Sequence, residues 1–483
     1  MDADILLATI NAKWIHPSLA LRLLKANLGS LEGRCEIMEF ALRQPLREKT
    51  EPLLAVRPRI LGLSVSIWNH TATLELLKEL HKAWEKRLRQ TKPEAVFFQT
   101  RPFVVLGGPE VSHLPPDAEI FRYADCCIKG EGEIAFKELC ETFLRNNNFD
   151  NIPAIINGGI VDVNTINNGY RLYTDEDLQK KLVYAEASRG CRFACDFCLS
   201  SVSGDVREFP LEAFFEEMTD LIRRGVKTVK FLDRSFNLNI ERAKQIMNFF
   251  LEKINERMTQ PLVAHFETVP FRFPLELTEI ITRFPPGSLR LEIGIQTLNP
   301  KVSARIGRAS DPARELDNLR FLSEKTTAVI HADLIAGLPG EDMASFGRGF
   351  DLLWDALSPK PPSPPARHVE IQLGILKLLP GTPIARHTAA FGMRYNPLPP
   401  YEVTETAALP ADDLDRIKNF ARFWEIIVNR KLADVGPSPV FHRFMSLSDL
   451  LYSRFGRNWG IDKTDLTAAV REWGANRNIV MRN

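Results

Sequence analysis

No sign of charge dominates this chain: 62 Lys and Arg stand against 61 Asp and Glu over 483 residues, a net charge of +1. That balance gives no ground for a nucleic-acid or membrane-surface specialist. No apolar run approaches the ~18 residues that a spanning helix needs. The opening Met1-Asp-Ala-Asp4 carries acid where a secretory signal carries positive charge, so the expected setting is cytoplasmic, with thiols kept reduced. Repeats at solenoid periods are missing too. Of seven cysteines, Cys35, Cys126, Cys127 and Cys140 show no C-x₂-C spacing, which leaves Cys191, Cys195 and Cys198 as the only tight group. What remains is an ordinary folded composition, 45% hydrophobic and 25% charged, in a chain long enough for two or three domains.

Strand-like runs at Asp4–Thr9, Cys35–Phe40, Arg59–Ser66, Phe103–Gly107 and Cys126–Ile128 alternate with amphipathic stretches at Ser18–Leu28, Thr73–Leu88 and Ile134–Leu144. Near-continuous apolar strands separated by helices predict a parallel sheet covered on both faces. Residues 1–147 therefore read as an open doubly wound domain. Residues 148–181, rich in Asn and Gly, read as a linker with short hairpins. A second series follows over 182–397, with strands at Leu182–Ala187, Thr228–Leu232, Leu262–Thr268, Leu289–Ile295, Val329–Ile335 and Val369–Leu376 and five helices between them. Six strands are too few for a closed eight-fold barrel, so a partial (β/α)6 barrel is expected. The proline-rich Ser358–Arg367 reads as a surface loop. Residues 398–483 read as a small α-rich extension whose clearest helix is Asp412–Leu432. The fold class expected is thus α/β.

Cys191-Arg-Phe-Ala-Cys195-Asp-Phe-Cys198 is the most informative stretch. Iron–sulfur cubanes are held by thiolates, normally four. Three cysteines in eight residues leave one iron open to a substrate or cofactor, at the carboxyl end of a barrel strand where such folds place chemistry. A zinc site and three unrelated thiols stay open as alternatives, although zinc usually takes four ligands and the nearest His is His265.

In this stretch the chain resembles the radical S-adenosylmethionine (SAM) family, whose signature is C-x₃-C-x-F-C after a barrel's first strand. The resemblance covers Leu182 to Arg394. It includes Phe231-Leu-Asp-Arg-Ser-Phe-Asn237, Leu291-Glu-Ile-Gly-Ile-Gln-Thr297, Asp333-Leu-Ile-Ala-Gly-Leu-Pro-Gly340 and Leu378-Leu-Pro-Gly-Thr-Pro383 in order. It is similar to the branch holding oxygen-independent coproporphyrinogen oxidase and the cobalamin-dependent methylases and cyclases. The resemblance implies a 4Fe–4S cluster on Cys191, Cys195 and Cys198. Its open iron is chelated by SAM, which is cleaved reductively to a 5′-deoxyadenosyl radical. It also implies SAM contacts from Arg234 and Ser235, where the family has a Gly-rich segment, from Glu267 and Gln296, from Arg308 toward the carboxylate, and from Asp333 toward the ribose. An Arg and a carboxylate suit a zwitterion on physical grounds. Against these roles stand the lesser readings of Glu267 and Asp333 as buried structural acids and of Arg308 as an exposed turn residue, and the commoner one of Gly337 and Pro339 as turn formers.

The first domain resembles the cobalamin-binding domain fused to many such enzymes. Ser64 and Ser66, Gly107 and Gly108, and Glu131 and Gly132 fall at its strand ends, where small residues let a bulky flat ligand approach the backbone. The family's D-x-H-x-x-G loop is missing. In its place stands Asn11-Ala-Lys-Trp14-Ile-His16, where Trp14 could lie under the corrin and His16 reads as a ligand or, more commonly, a capping residue. Expected cofactors are therefore the cluster, SAM and cobalamin. The expected reaction is methyl transfer or rearrangement at an unactivated carbon of a small-molecule or peptide substrate, with a flavodoxin- or ferredoxin-type electron donor and neither nucleic acid nor membrane as partner. No individual catalytic residue is assigned. Two further readings are a radical enzyme with a merely structural first domain, and a sensor without turnover that docks through Phe420, Phe423 and Trp424, although aromatics at helical spacing are more often core.

Overall fold

The computed structural model describes residues 3–90, 101–146, 152–202, 204–257, 261–358, 369–474 and 480–481. Most of the proline-rich insert, and residues 148–151 of the expected linker, lie outside them. The chain divides into two compact units, residues 1–189 with 207–230 and residues 190–206 with 231–483.

In the first unit β1 (Ile5–Asn11), α1 (Leu19–Ala26), β2 (Cys35–Ala41), α2 (Leu46–Val56), β3 (Ile60–Ser64), α3 (His70–Gln90), β4 (Phe103–Gly107), β5 (Cys126–Gly130), α4 (Glu133–Asn146) and β6 (Ile155–Gly159) form a parallel sheet with helices on both faces. Strand order is β2-β1-β3-β4-β5-β6, so direction reverses between β1 and β3, the switch point where such sheets bind ligands. Every residue of β1 is buried, as a central parallel strand requires. Its two faces feed different cores: Leu6, Ala8 and Ile10 pack with α3, while Ile5 and Leu7 pack with α1 and α4.

Two elements differ from expectation. Ile155–Gly159, expected in a hairpin linker, is the sixth parallel strand, beside β5. An edge strand reading Ile-Ile-Asn-Gly-Gly has no buried face to make it apolar. Helix α2 was not anticipated either, because Pro52 sits within it.

The unit continues through α5 (Asp175–Lys180), β7 (Val183–Ala185), the short antiparallel ladder β8 (Ser188–Arg189) with β9 (Arg207–Glu208), and α6 (Leu211–Arg223). Here begins the barrel series, whose six strands follow chain order: β7, β10 (Thr228–Phe231), β11 (Val263–Thr268), β12 (Leu289–Gln296), β13 (Val329–Ala336) and β14 (Val369–Ile375). The last four, in the second unit, pair in parallel. The connecting helices are α7 (Ile240–Glu256), α8 (Leu275–Thr282), the pair α9 (Pro300–Arg305) and α10 (Pro312–Lys325), and α11 (Met343–Leu357). Asn239, Asn299, Asp311 and Asp342 cap α7, α9, α10 and α11 with side-chain oxygens, which fixes where each begins.

The tail holds α12 (Ala411–Trp424), α13 (Phe441–Phe455) and α14 (Lys463–Gly474). Helix α12 stops short of the expected Leu432. It passes into a wide π-helical turn, Glu425–Asn429, and Lys431 then takes a positive φ of 57°. That turn aims Asn429 at the outer edge of β14, where its amide donates to Ile371 O (3.0 Å) and accepts from Ile371 N–H (3.3 Å). Phe420, Phe423 and Trp424 are fully buried, and Phe350 and Phe441 pack on Phe420. The docking surface suggested for these aromatics is therefore core.

Candidate functional site

The cysteine loop of the second unit is tied down by backbone. Gly190 has φ +99°, and a Cβ there would stand 2.5 Å from Asp205 O, so only glycine fits. Asp196 N–H donates to Ile306 O (3.0 Å), and Cys198 N–H to Cys195 O (3.1 Å). Cys191, Cys195 and Cys198 line one cavity of about 200 Å³, with Arg234, Glu267 and Asp333 also on its wall. Burial pushes the Cys195 thiol above its ordinary range, opposed by the Arg308 guanidinium. Burial does the same to Cys191, opposed by the Phe193 N–H and the Ser235 hydroxyl. Among the described residues no three His, Cys, Asp or Glu side chains converge on a single ion.

Five of the six residues expected around SAM, namely Arg234, Glu267, Gln296, Arg308 and Asp333, meet on this wall. Ser235 stands apart, turned toward Cys191. Arg234 Nη1 reaches both Glu267 oxygens, at 3.1 and 3.2 Å. Gln296 closes β12 at φ +66°, beside a register shift between Gly294 and Gln296, and its amide folds back over Gly294. A non-glycine residue held there is strained by roughly 1–3 kcal/mol. Arg308 is no exposed turn residue: it donates to Gly294 O, and its Nε is buried without a partner. Glu292 also lines the cavity, its Oε2 3.1 Å from His265 Nε2, and was missed. The signal was present in Leu289-Arg-Leu-Glu-Ile-Gly-Ile-Gln296, whose strict alternation separates a buried face from a cavity face.

The first unit holds a second cavity of about 240 Å³ at the carboxyl ends of β3, β4 and β5, with Leu7 of β1 on its wall. Its inner wall is aliphatic and aromatic, with Leu7, Leu24, Val105, Ile128 and Phe136. Ser64, Gly107, Gly108, Glu131 and Gly132 lie on it as expected positions, while Ser66 and Trp14 do not. The Ser66 N–H goes to Asn69 Oδ1 (2.8 Å). Trp14 is 52% exposed, with the Lys181 ammonium over its ring. His16 Nδ1 is 2.8 Å from the Tyr184 hydroxyl, a packing role. Gly108 is demanded by the fold, with φ +105° and a Cβ position 2.5 Å from Val65 O. Gly107 is not: a Cβ there would meet nothing nearer than Ile128 O at 3.8 Å. Its missing side chain leaves room in the cavity and nowhere else.

A charged cluster completes the wall. Arg189 pairs with Glu133 (2.8 Å), Glu186 (2.8 Å) and Glu131 (3.5 Å), while Arg207 and the Val161 N–H hold Glu131. Glu186 is held above the usual carboxylate range by burial, against the pull of Arg189. None of Glu133, Glu186 or Arg189 was anticipated, since nothing local distinguishes these from surface charges.

Residues 186–353 match the Radical SAM superfamily. This stretch resembles a radical SAM domain. A domain of that kind implies a 4Fe–4S cluster and SAM as cofactors. The chain is 24% identical over 404 residues to the cobalamin-dependent radical SAM methyltransferase TokK of Streptomyces tokunonensis, covering 77% of this chain and 54% of that protein. It is 26% identical over 260 residues to an uncharacterized methyltransferase of Pyrococcus horikoshii, covering 50% and 55%. The chain thus spans about half the length of the curated relatives it matches. Its fold is that of the cobalamin-dependent SAM radical enzyme OxsB, solved with aqua-cobalamin and SAM bound, at a TM-score of 0.66 and 14% identity over 98% of this chain and 75% of that one. No helix among the described residues is long and apolar enough to cross a membrane.

Proposed function

We propose that this chain is a radical SAM enzyme in which Cys191, Cys195 and Cys198 hold a 4Fe–4S cluster, SAM fills the cavity they line, and cobalamin fills the cavity of the first unit. The reaction is methyl transfer or rearrangement at an unactivated carbon of a small-molecule or peptide substrate, with an external one-electron donor. The observation that carries it is the shared wall: three thiols on one side of a cavity, and an arginine–carboxylate pair on another.

When bound, the cluster and SAM supply one-electron cleavage chemistry and cobalamin a transferable methyl group. The protein's part is binding and orientation. The Arg234–Glu267 pair suits a zwitterion, the guanidinium meeting the SAM carboxylate and the carboxylate meeting its ammonium. Gln296, pinned over Gly294, offers a fixed amide, and Asp333 accepts from ribose hydroxyls. Arg308 lies against Cys195 and Gly294 O, and its task is to steady the cysteine loop. In the first unit the aliphatic wall and the space at Gly107 admit a flat apolar body. The carboxylates of Glu131, Glu133 and Glu186 accept from N–H donors at its rim, which favours a ligand fringed with amides over one fringed with phosphates.

The test is anaerobic reconstitution with iron, sulfide and cobalamin. Wild-type protein should retain iron and sulfide, form 5′-deoxyadenosine and methionine under reducing conditions, and keep a corrin absorption band through gel filtration. Cys195→Ala should abolish the first two and leave the third. Zinc in place of iron removes the catalytic reading, and loss of the corrin band alone reduces the first unit to a structural domain.

A further inference from the structure

Asp196 lies between the second and third cysteines, and the cavity makes no use of it. Its side chain is 3% exposed, so its charge needs partners. Oδ2 is 2.7 Å from Arg386 Nη2 and 2.7 Å from His387 Nε2. A carboxylate only accepts, so the His387 contact needs its hydrogen on Nε2, a nitrogen that Arg386 Nε also approaches at 3.3 Å. The backbone of Asp196 is equally engaged: its N–H donates to Ile306 O (3.0 Å), and its carbonyl accepts from Ile384 N–H (2.9 Å). One residue is thus gripped by the end of α9 and by the 3₁₀ turn Pro383–His387 that follows Leu378-Leu-Pro-Gly-Thr-Pro383. Gly307 tightens the grip from the α9 side, since at φ +63° its Cβ position lies 3.0 Å from Ala194 O.

We propose that Asp196, Arg386 and His387 form a clamp that positions the cysteine loop and sets the reduction potential of the cluster it carries. The proposal rests on the cluster reading above. Cluster potentials respond to net charge, hydrogen bonding and exposure nearby. A buried carboxylate next to Cys195 disfavours an added electron, and the Arg386 guanidinium offsets it. These are positioning residues, because none of them lies on the cavity wall.

Two substitutions should move the potential in opposite directions. Asp196→Asn keeps an acceptor oxygen and the shape but removes the negative charge, so the cluster becomes easier to reduce. Arg386→Met keeps the stem and leaves the carboxylate less compensated, so the cluster becomes harder to reduce. The experiment is a potentiometric titration of the full-length reconstituted protein, followed by the electron paramagnetic resonance of the reduced cluster, with iron and sulfide counted per chain. Each variant should change the oxidised-to-reduced ratio at the wild-type midpoint three- to tenfold, about 30–60 mV at 59 mV per tenfold for one electron. Arg386→Lys should restore the wild-type midpoint. Unchanged midpoints at full iron content, or shifts of the same sign, overturn the clamp. If Asp196→Asn takes up no iron, the Met and Lys variants decide alone, and equal midpoints in those two overturn it. A wild type that binds no iron and sulfide removes the cluster reading itself.

Discussion

Gly107 and Gly108 are neighbours with opposite reasons for being glycine, and this separates a ligand site from a folding constraint. Gly107 follows Val105 on the same face of β4, the face that carries the cavity, and its backbone is open to any residue. Gly107→Ala should leave stability unchanged or raise it by about 0.4–1 kcal/mol through the unfolded chain. Gly107→Leu should fold equally well but put its side chain into the space assigned to cobalamin. Overpacking costs about 1–3 kcal/mol, which converts to roughly 5- to 150-fold weaker binding. Gly108→Ala should do the reverse. A positive φ and a Cβ 2.5 Å from Val65 O strain the fold by about 1–3 kcal/mol or more. At roughly 2–4 °C per kcal/mol, the melting temperature falls by several degrees. The assays are thermal unfolding of each variant and a hydroxocobalamin titration read by visible absorbance. Gly107→Leu that melts like wild type and binds hydroxocobalamin with unchanged affinity would show that the corrin does not enter this cavity.

Other outcomes follow from the same geometry. Arg189→Met removes the cation shared by Glu131, Glu133 and Glu186, leaving Arg207 on Glu131 alone, and should destabilise by about 3–5 kcal/mol, seen as a large fall in urea midpoint. Glu341 accepts from Thr297 Oγ1 (2.7 Å) in a buried site, and burial raises it to about 7. A carboxyl raised on folding favours the folded state while protonated. That stability is present below about 4.5 and is lost as pH rises toward 7, a change of roughly 3 kcal/mol. Glu341→Gln should flatten this part of the stability profile, and an unchanged slope between pH 4.5 and 7 refutes the assignment. Gln296→Gly should relieve the positive φ and raise or preserve the melting temperature while weakening SAM binding by calorimetry. A lower melting temperature with intact binding would refute the strain argument.

What could be read from the sequence was whatever depends on local period. The buried strands β1, β3, β4 and β12 announce themselves by continuous or alternating apolar residues, and the capped helices by Asn or Asp at their starts. The cysteine spacing and strand-end motifs lead to one cavity, and five of the residues expected around SAM share its wall. What escaped depends on partners distant in the chain. Glu133, Glu186 and Arg189 matter only because they meet, and Asp196 only because a turn near residue 386 reaches it. β6 escaped because an edge strand has no buried face to write into its sequence. The exclusion of Trp14 and Ser66 from the cavity wall is likewise invisible to spacing, since each is only two or three residues from a position that lies on it or leads to it.

The wide turn that ends α12 matters beyond its own geometry. An amide side chain that both gives and takes a hydrogen bond imitates one residue of a neighbouring strand, and Asn429 does this on the free margin of β14. The margin of an unclosed barrel is a template on which a second copy could stack. A counterfeit strand residue placed there by the helical tail occupies one register position of that margin without adding a seventh strand. Asn429→Ala should leave the cofactor cavities intact yet make the protein cluster in a concentration-dependent way by light scattering.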